Sequence, residues 1–335
     1  MKTPRVLIVG AGSIGERHLR CFQRTGRCSL NICDRNGQLL EAVAGRYGIV
    51  DAQINFETAV GMGFDAVVIC TPAHLHIPMA REAVRHAKHV LIEKPLSTGL
   101  EGVFELRQEA HDRGVGISVA YVLRANPVLA EFRAALQSGK FGRPVEVIGI
   151  AGQHFPHYRP AYREIYYRDR ATGGGAVQDA LTHVVNAIEW TVGPAEKVVA
   201  DLDHQVLEGV SVEDTVHVLT RHSGGVMGSI QLNQFQVPFE TSITVNCTGG
   251  TARVELHKNR WRWMEKPESA WTVEPGRPME RDDLFMFQAN AFLDSIEFGK
   301  APLCALEEGV QTLQMNLAIL ESAASGAWVR LPEVV

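Results

Sequence analysis

The chain has 335 residues, 45 % of them hydrophobic and 21 % charged, with a formal net charge of -5. At roughly 100–200 residues per domain, that length predicts two domains. The acidic balance offers no general attraction for nucleic acid or an anionic membrane, so any anionic ligand must be held by local groups.

No apolar run approaches the ~18 residues of a membrane span. The opening Met1-Lys2-Thr3-Pro4-Arg5 runs straight into a strand, without an apolar leader core or cleavage site, so no secretory leader is expected. The cysteines at 21, 28, 33, 70, 247 and 304 form no C-x-x-C pair and have no metal-ligand spacing. Free thiols in a reducing, cytoplasmic compartment are expected.

Val6-Leu-Ile-Val9 is a continuous apolar run, as in a parallel strand covered on both faces. It ends in Gly10-Ala11-Gly12-Ser13-Ile14-Gly15, which opens a helix with apolar spacing at Ile14, Leu19 and Phe22 that stops at Gly26. A G-x-G-x-x-G between a strand and a helix predicts a dinucleotide site. Gly10 permits the tight turn, Gly12 lets backbone N–H groups reach a pyrophosphate, and Gly15 lets helix and strand pack closely. The helix N-terminus supplies partial positive charge. Arg17 and His18, one turn in, read as solvated or capping residues.

The second strand, Leu30 to Cys33, ends at Asp34, 19 residues after Gly15. A carboxylate there accepts both ribose hydroxyls and repels a 2′-phosphate, favouring NAD; Arg35 beside it leaves NADP open. A glycine turn serving another ligand is the competing reading, and the strand, helix and acidic residue together outweigh it.

A helix ending near Gly48 follows, then the strand Ala66 to Cys70, a helix from Ile77 to Arg85, the strand Val90 to Ile92, a helix from Leu100 to Arg113 and the strand Val115 to Val119. Alternating strands and helices predict an α/β domain with a doubly wound parallel sheet, a Rossmann domain over residues 1–121. Ligands of such sheets sit beyond the carboxyl ends of the strands. Thr71 and Pro72 stand there as a wall for the nicotinamide ribose, and Glu93, Lys94 and His76 join them as cofactor-side candidates. His76 also suits a helix cap or packing role, and His74 and His76 show no partner cluster for a metal. Lys94 follows a buried strand and precedes a proline that restricts its backbone. A cation at that place hydrogen-bonds a substrate hydroxyl and stabilises developing alkoxide as hydride leaves.

After Tyr121 the texture changes. A helix from Val128 to Gln137 leads through Gly142-Arg-Pro144 to a strand, Val145 to Ile150, and then to an aperiodic stretch, His154 to Arg170. Gly173-Gly-Gly175 opens a helix from Val177 to Val192. The chain is then strand-rich from Val198 to Val254, with hairpin signals at Gly224-Gly225 and Gly249-Gly250, and helices from Asp283 to Phe298 and Glu307 to Ala324 finish it. Residues 122–335 thus predict an α+β domain on a mainly antiparallel open sheet, whose last helices can pack back on the first domain. That sheet offers a surface for a homodimer or homotetramer.

Several of these segments together resemble the Gfo/Idh/MocA family of glucose–fructose oxidoreductase, inositol dehydrogenase and rhizopine-catabolism proteins. The resemblance rests on Val6 to Gly15, Thr71-Pro72 with His76, Lys88-His-Val-Leu-Ile-Glu-Lys-Pro95, Gly173 to Asp179 with His183, and the ending Leu306-Glu-Glu-Gly309 to Ala323. It implies an NAD(P)-dependent oxidoreductase of a sugar, inositol or related polyol. It also implies that Lys94 orients the reacting hydroxyl and the nicotinamide, that His183 is the general acid/base, and that Asp179 contacts substrate or steers the histidine. Asp179 and His183 are spaced i, i+4, which predicts a shared helix face. A histidine beside a carboxylate suits proton transfer near neutral pH. A surface Asp–His pair is the plain alternative, and the flanking glycines and Lys94 weigh against it. The chain departs from the family at Leu181, at Asn186 and at Val122-Leu123-Arg124-Ala125, which bears on the substrate and leaves the acid/base pair intact.

His154, His157, Tyr158, Arg159, Tyr162, Arg163, Tyr166, Tyr167 and Arg168 crowd the aperiodic stretch. Aromatic and arginine side chains line sugar sites, and they also favour subunit interfaces. His154, Tyr158, Arg159, Arg163 and Tyr166, with Tyr121 and Arg124 at the junction, are the candidate substrate contacts. Two other functions stay open: a family member using NAD without net consumption in sugar elimination or hydrolysis, and a non-catalytic protein that senses NAD or a sugar.

Overall fold

The computed structural model describes residues 3–332. The chain divides into two compact units, one taking in the chain up to Ala125 together with Glu280–Val310, the other Asn126–Met279 and the chain from Gln311 on.

In the first unit β1 (Arg5–Val9), α1 (Ser13–Thr25), β2 (Ser29–Cys33), α2 (Gly37–Tyr47), α3 (Phe56–Val60), β3 (Ala66–Ile69), α4 (His76–Arg85), β4 (His89–Ile92), α5 (Val103–Arg113) and β5 (Ile117–Val119) follow one another. The short α3 is not marked by any sequence period. The five strands form a parallel sheet in the order β2-β1-β3-β4-β5. Val6, Leu7 and Ile8 are fully buried, which explains their unbroken apolar run: both faces of a parallel strand are covered. The order reverses between β1 and β3, so the loops after these strands diverge and open the crevice where α/β sheets take ligands. The helix Asp283–Phe298 also belongs to this unit. Its Ala289, Phe292 and Leu293 complete the cluster of Val6, Ile8, Leu19, Phe22, Ile32 and Val68.

The second unit begins with α6 (Pro127–Gln137), β6 (Pro144–Gly152), the single turn α7 (Phe155–Tyr158), α8 (Thr182–Val192), β7 (Ala195–Asp203), β8 (Thr215–His222) and β9 (Met227–Asn233). It continues through β10 (Glu240–Cys247), β11 (Gly250–Glu255), β12 (Arg260–Met264) and β13 (Thr272–Pro275). With α9 (Asp283–Phe298) assigned to the first unit, α10 (Leu306–Ser325) and β14 (Val329–Arg330) close the chain. The nine-stranded sheet runs β13-β12-β11-β10-β6-β9-β8-β7-β14, antiparallel throughout except for the central β6–β9 pair. Strands β12 and β13 extend it beyond the expected end near Leu256.

Period-two alternation sorts the sheet's faces. Val147, Val216, Ile230, Ile243 and Val254 are buried on the face that carries α6 and α8, whereas His217, Leu219, Met227, Ser229 and Gln231 face outward. Helix α8 is further tied to α10 by buried hydrogen bonds, Asn186 Nδ2 to Thr312 Oγ1 at 2.9 Å and Asn316 Nδ2 to Thr182 Oγ1 at 2.8 Å. Asn186, one of the departures from the family pattern, is therefore an internal packing residue. Among the described residues no helix is long and apolar enough to cross a membrane, and all six cysteines are free thiols.

Candidate active site

The glycine loop is shaped by contacts that only glycine tolerates. Gly10 has φ +100°, and a Cβ there would lie 2.8 Å from the Cys70 carbonyl oxygen; a Cβ on Gly15 would lie 1.8 Å from that of Gly10. Gly12 differs: its backbone is ordinary (φ −64°) and a Cβ would meet no protein atom within 4 Å. Among the described residues no side chain caps α1, so its first-turn N–H groups face that open space. Ser13 is exposed and Ile14 half-buried beside it. Asp34 stands just past β2, its Oδ2 accepting from the Ala11 N–H at 2.6 Å and its Oδ1 from the Asn36 N–H at 2.8 Å. The carboxylate is thus anchored against the loop, and Arg35 is exposed next to it. An uncapped helix end, an open Gly12 and an anchored acid fit the pyrophosphate and ribose of a dinucleotide. Nicotinamide chemistry, reversible hydride transfer, is what such a cofactor supplies when bound.

Beyond β3 and β4 several polar side chains are buried and paired. His76 is buried, with Nε2 2.7 Å from the Thr71 carbonyl and Nδ1 2.9 Å from that of Pro95. Burial holds its imidazole below the usual range, although the two carbonyls and the Glu93 charge pull the other way. The ring thus lies between the Thr71-Pro72 and Lys94-Pro95 loops, where a neutral imidazole donates its one N–H to one of the two carbonyls. Glu93 is also buried: its Oε1 lies 2.7 Å from Nε2 of His18, and its Oε2 accepts the Lys94 N–H at 2.9 Å. Burial raises the Glu93 carboxyl, but the hydrogen bond and charge of His18 and the nearby Lys94 outweigh it, leaving the group below its usual range. His18 is not a solvated residue; it packs edge-on to Phe285 and beside Phe22. Its signal was the spacing Ile14, His18, Phe22, which puts it on the buried stripe of α1. Arg17 is largely buried too, pairing with Asp282 at 3.4 Å and stacking over Phe285. Lys94 itself is half-buried, and Pro72 is exposed at the rim.

In the second unit Gly173, Gly174 and Gly175 make the turn before the helix. Gly175 has φ +89°, and a Cβ would strike the buried Glu213 carboxylate. Glu213 had no sequence signal, yet its Oε1 accepts the Val177 N–H at 3.0 Å and its Oε2 pairs with Arg170, pinning the helix start. The expected single helix opens with a wide π turn, Val177–Leu181, before α8 begins at Thr182. Such turns interrupt the i to i−4 ladder and are frequent at functional sites. Asp179 lies in the π turn, and its Oδ1 accepts the Tyr166 hydroxyl at 2.6 Å. His183 is half-buried at the start of α8.

The aperiodic stretch proves to be a small folded cap. Phe155, Tyr162 and Tyr167 are buried with Leu207 and Val212 in their own cluster. Tyr158 is half-exposed against Phe239, Arg159 is exposed, and Arg163 donates to the Glu208 carbonyl at 2.8 Å. His154 is half-buried, its Nδ1 enclosed with no hydrogen-bond partner among the described residues. In the first unit Tyr121 is buried, and the buried Arg124 guanidinium pairs with Glu308. Among the described residues no three His, Cys, Asp or Glu side chains gather as a metal site.

Comparison with known proteins agrees with this geometry. Residues 4–121 match the oxidoreductase family GFO_IDH_MocA with its NAD-binding Rossmann fold, and residues 129–253 match the GFO/IDH/MocA C-terminal domain. The chain is 28 % identical to a 1,5-anhydro-D-fructose reductase of Ensifer adhaerens, over 95 % of this chain and 96 % of that protein. It is 28 % identical to an inositol 2-dehydrogenase of Rhizobium meliloti, over 92 % and 90 %. The solved structure of levoglucosan dehydrogenase with NADH and levoglucosan shares the fold at a TM-score of 0.90, with 21 % identity and coverage of 99 % and 100 %.

Proposed function

Because the chain belongs to the GFO/IDH/MocA oxidoreductase family, we propose that it is an NAD-dependent dehydrogenase or reductase acting on a CH–OH group of a sugar or related polyol. The observation that carries this reading is the glycine loop, open at Gly12 and flanked by the anchored Asp34, on the same unit as Lys94. In the oxidative direction a bound nicotinamide would accept the hydride from the substrate C–H bond, and the chain's own residues would manage the hydroxyl proton as the carbonyl forms. Lys94 donates a hydrogen bond to the reacting oxygen and stabilises the negative charge that develops on it. His183 takes the hydroxyl proton, and returns it when the reaction runs in reverse. Asp179, held by Tyr166, steers the histidine or contacts substrate. Tyr158, Arg159 and His154 are proposed to contact the substrate's other hydroxyls. The relatives' names support cyclic, polyhydroxylated substrates.

Turnover of a panel of inositols, aldoses and uronic acids with NAD and NADP, followed by NADH absorbance, tests this reading. Wild-type turnover of a confirmed substrate by Lys94→Ala or His183→Ala would overturn the roles. Product formed without net NADH change would instead place the protein among members that re-reduce their substrate.

The outward face of the nine-stranded sheet, where Leu219 and Met227 are about half exposed, is proposed to pair with a second copy. Sedimentation as a monomer would exclude that. Free thiols throughout favour a reducing cytoplasm as its place of work.

A further inference from the structure

We infer that His18 and Glu93 are positioning residues that set Lys94 for its task, an inference resting on the role of Lys94 given above. Lys94 stands two residues past the end of β4. Glu93 reaches round with Oε2 to accept the Lys94 N–H at 2.9 Å, and its other oxygen is held by His18 at 2.7 Å. Both side chains are almost wholly buried, at 1 % and 6 % exposure. The imidazole is enclosed: it packs edge-on to Phe285 and beside Phe22, and its Nδ1 meets no acceptor among the described residues. Nε2 therefore carries the proton directed at the Glu93 carboxylate.

Stability does not explain such a pair. A buried ion pair gains little or nothing over well-packed apolar residues of the same size, because both groups must be desolvated. The pair does something an apolar replacement cannot do: it fixes the lysine backbone from a helix 75 residues away. His18 lies one turn beyond Gly15, so the helix that presents its N-terminus to the cofactor also holds the strand end that presents Lys94. From the other side the His76 ring nitrogens lie 2.9 Å from the Pro95 carbonyl and 2.7 Å from the Thr71 carbonyl. Lys94 is bracketed by two buried histidines, one on each neighbouring residue. A displacement of about 1 Å in such a group costs on the order of a hundredfold in rate.

The test compares His18→Ala, Glu93→Ala, Lys94→Ala and the conservative His18→Gln, whose amide nitrogen takes the place of Nε2. With the sugar or polyol found in the substrate panel, His18→Ala and Glu93→Ala are expected to lower kcat about tenfold to a hundredfold, with NADH affinity unchanged. His18→Gln is expected to recover most of the loss. Independently of any substrate, His18→Ala is expected to speed hydrogen exchange of the Lys94 amide about tenfold or more. Wild-type kcat and wild-type exchange in His18→Ala would overturn the inference, as would a His18→Gln no better than His18→Ala. If the alanine variants do not fold, Glu93→Gln and His18→Gln decide: a loss in the first and not the second supports positioning, and equal losses overturn it. If Lys94→Ala is inactive while the His18 and Glu93 variants turn over normally, only the positioning falls. If Lys94→Ala itself keeps wild-type turnover, the role of Lys94 falls, and amide exchange still reports whether the pair holds its backbone.

Discussion

The Tyr166 hydroxyl donates a 2.6 Å hydrogen bond to Oδ1 of Asp179, joining an exposed loop tyrosine to the π turn that precedes α8. A bond of that length to a carboxylate is charge-assisted, and it restricts how Asp179 can lean toward His183 or a substrate hydroxyl. Tyr166→Phe removes the bond and keeps the ring of this residue, which is 42 % exposed. We expect kcat to fall about tenfold, equivalent to ~1.4 kcal/mol, with the melting temperature unchanged. A variant with wild-type kcat would show that Asp179 needs no such support.

Gly12 and Gly15 separate ligand binding from folding. Gly15→Ala places a methyl group 1.8 Å from the Gly10 carbonyl oxygen, so backbone must move and the protein should lose about 3 kcal/mol or more of stability. Gly12→Ala meets no protein atom and should unfold like the wild type. Its methyl group does enter the space assigned to the pyrophosphate, so NADH affinity should drop about tenfold or more. Denaturant melts and NADH fluorescence titrations of the two variants check both halves; an unaltered affinity in Gly12→Ala would refute the assigned cofactor position.

Asp34 should govern the choice of cofactor. Its two oxygens are anchored by the Ala11 and Asn36 N–H groups, so the negative charge cannot swing away from an incoming 2′-phosphate. In Asp34→Ser the preference for NAD over NADP, measured as the ratio of kcat/KM values, is expected to shrink about tenfold or more, with the exposed Arg35 then available to the phosphate. An unchanged ratio would move the discrimination elsewhere.

Two buried histidines set an acid limb to stability. Burial depresses His76 and His222, against the pull of the carbonyls they face. The native state therefore binds fewer protons than the unfolded chain below the ordinary value of 6.5. The stabilisation is complete above that pH and is lost as pH falls through it toward the folded values. Each group steepens the decline by up to about 1.4 kcal/mol per pH unit. Urea unfolding at about pH 7.5 and about pH 5.5 should show a smaller difference for His222→Gln than for the wild type. Equal differences would mean that His222 stays protonated in the fold.

Much of this was legible in the chain itself. The strand run Val6 to Val9, the glycine loop and Asp34 announce the cofactor site because their contacts are local. Each lies within one βαβ unit whose periods and glycines are contiguous in sequence. Helices α9 and α10 are legible for the same reason, through their apolar spacing. The second sheet was underestimated at its far edge, where β12 is only five residues long and its Arg-Trp alternation spans Arg260 to Trp263.

The glycine loop, the strand-end Lys94 and the helix bearing His183 were determined by sequence alone, since backbone geometry and hydrophobic period place them without help from distant residues. Which polar groups face each other was decided only by the tertiary structure. His18 meets Glu93 across 75 positions, Arg124 meets Glu308 across 184, and Glu213 pins a helix 36 residues before it. These pairings arise because a charge carried into a core by its helix or strand must find a partner there. The partner is set by the packing of whole elements, and no local period records it.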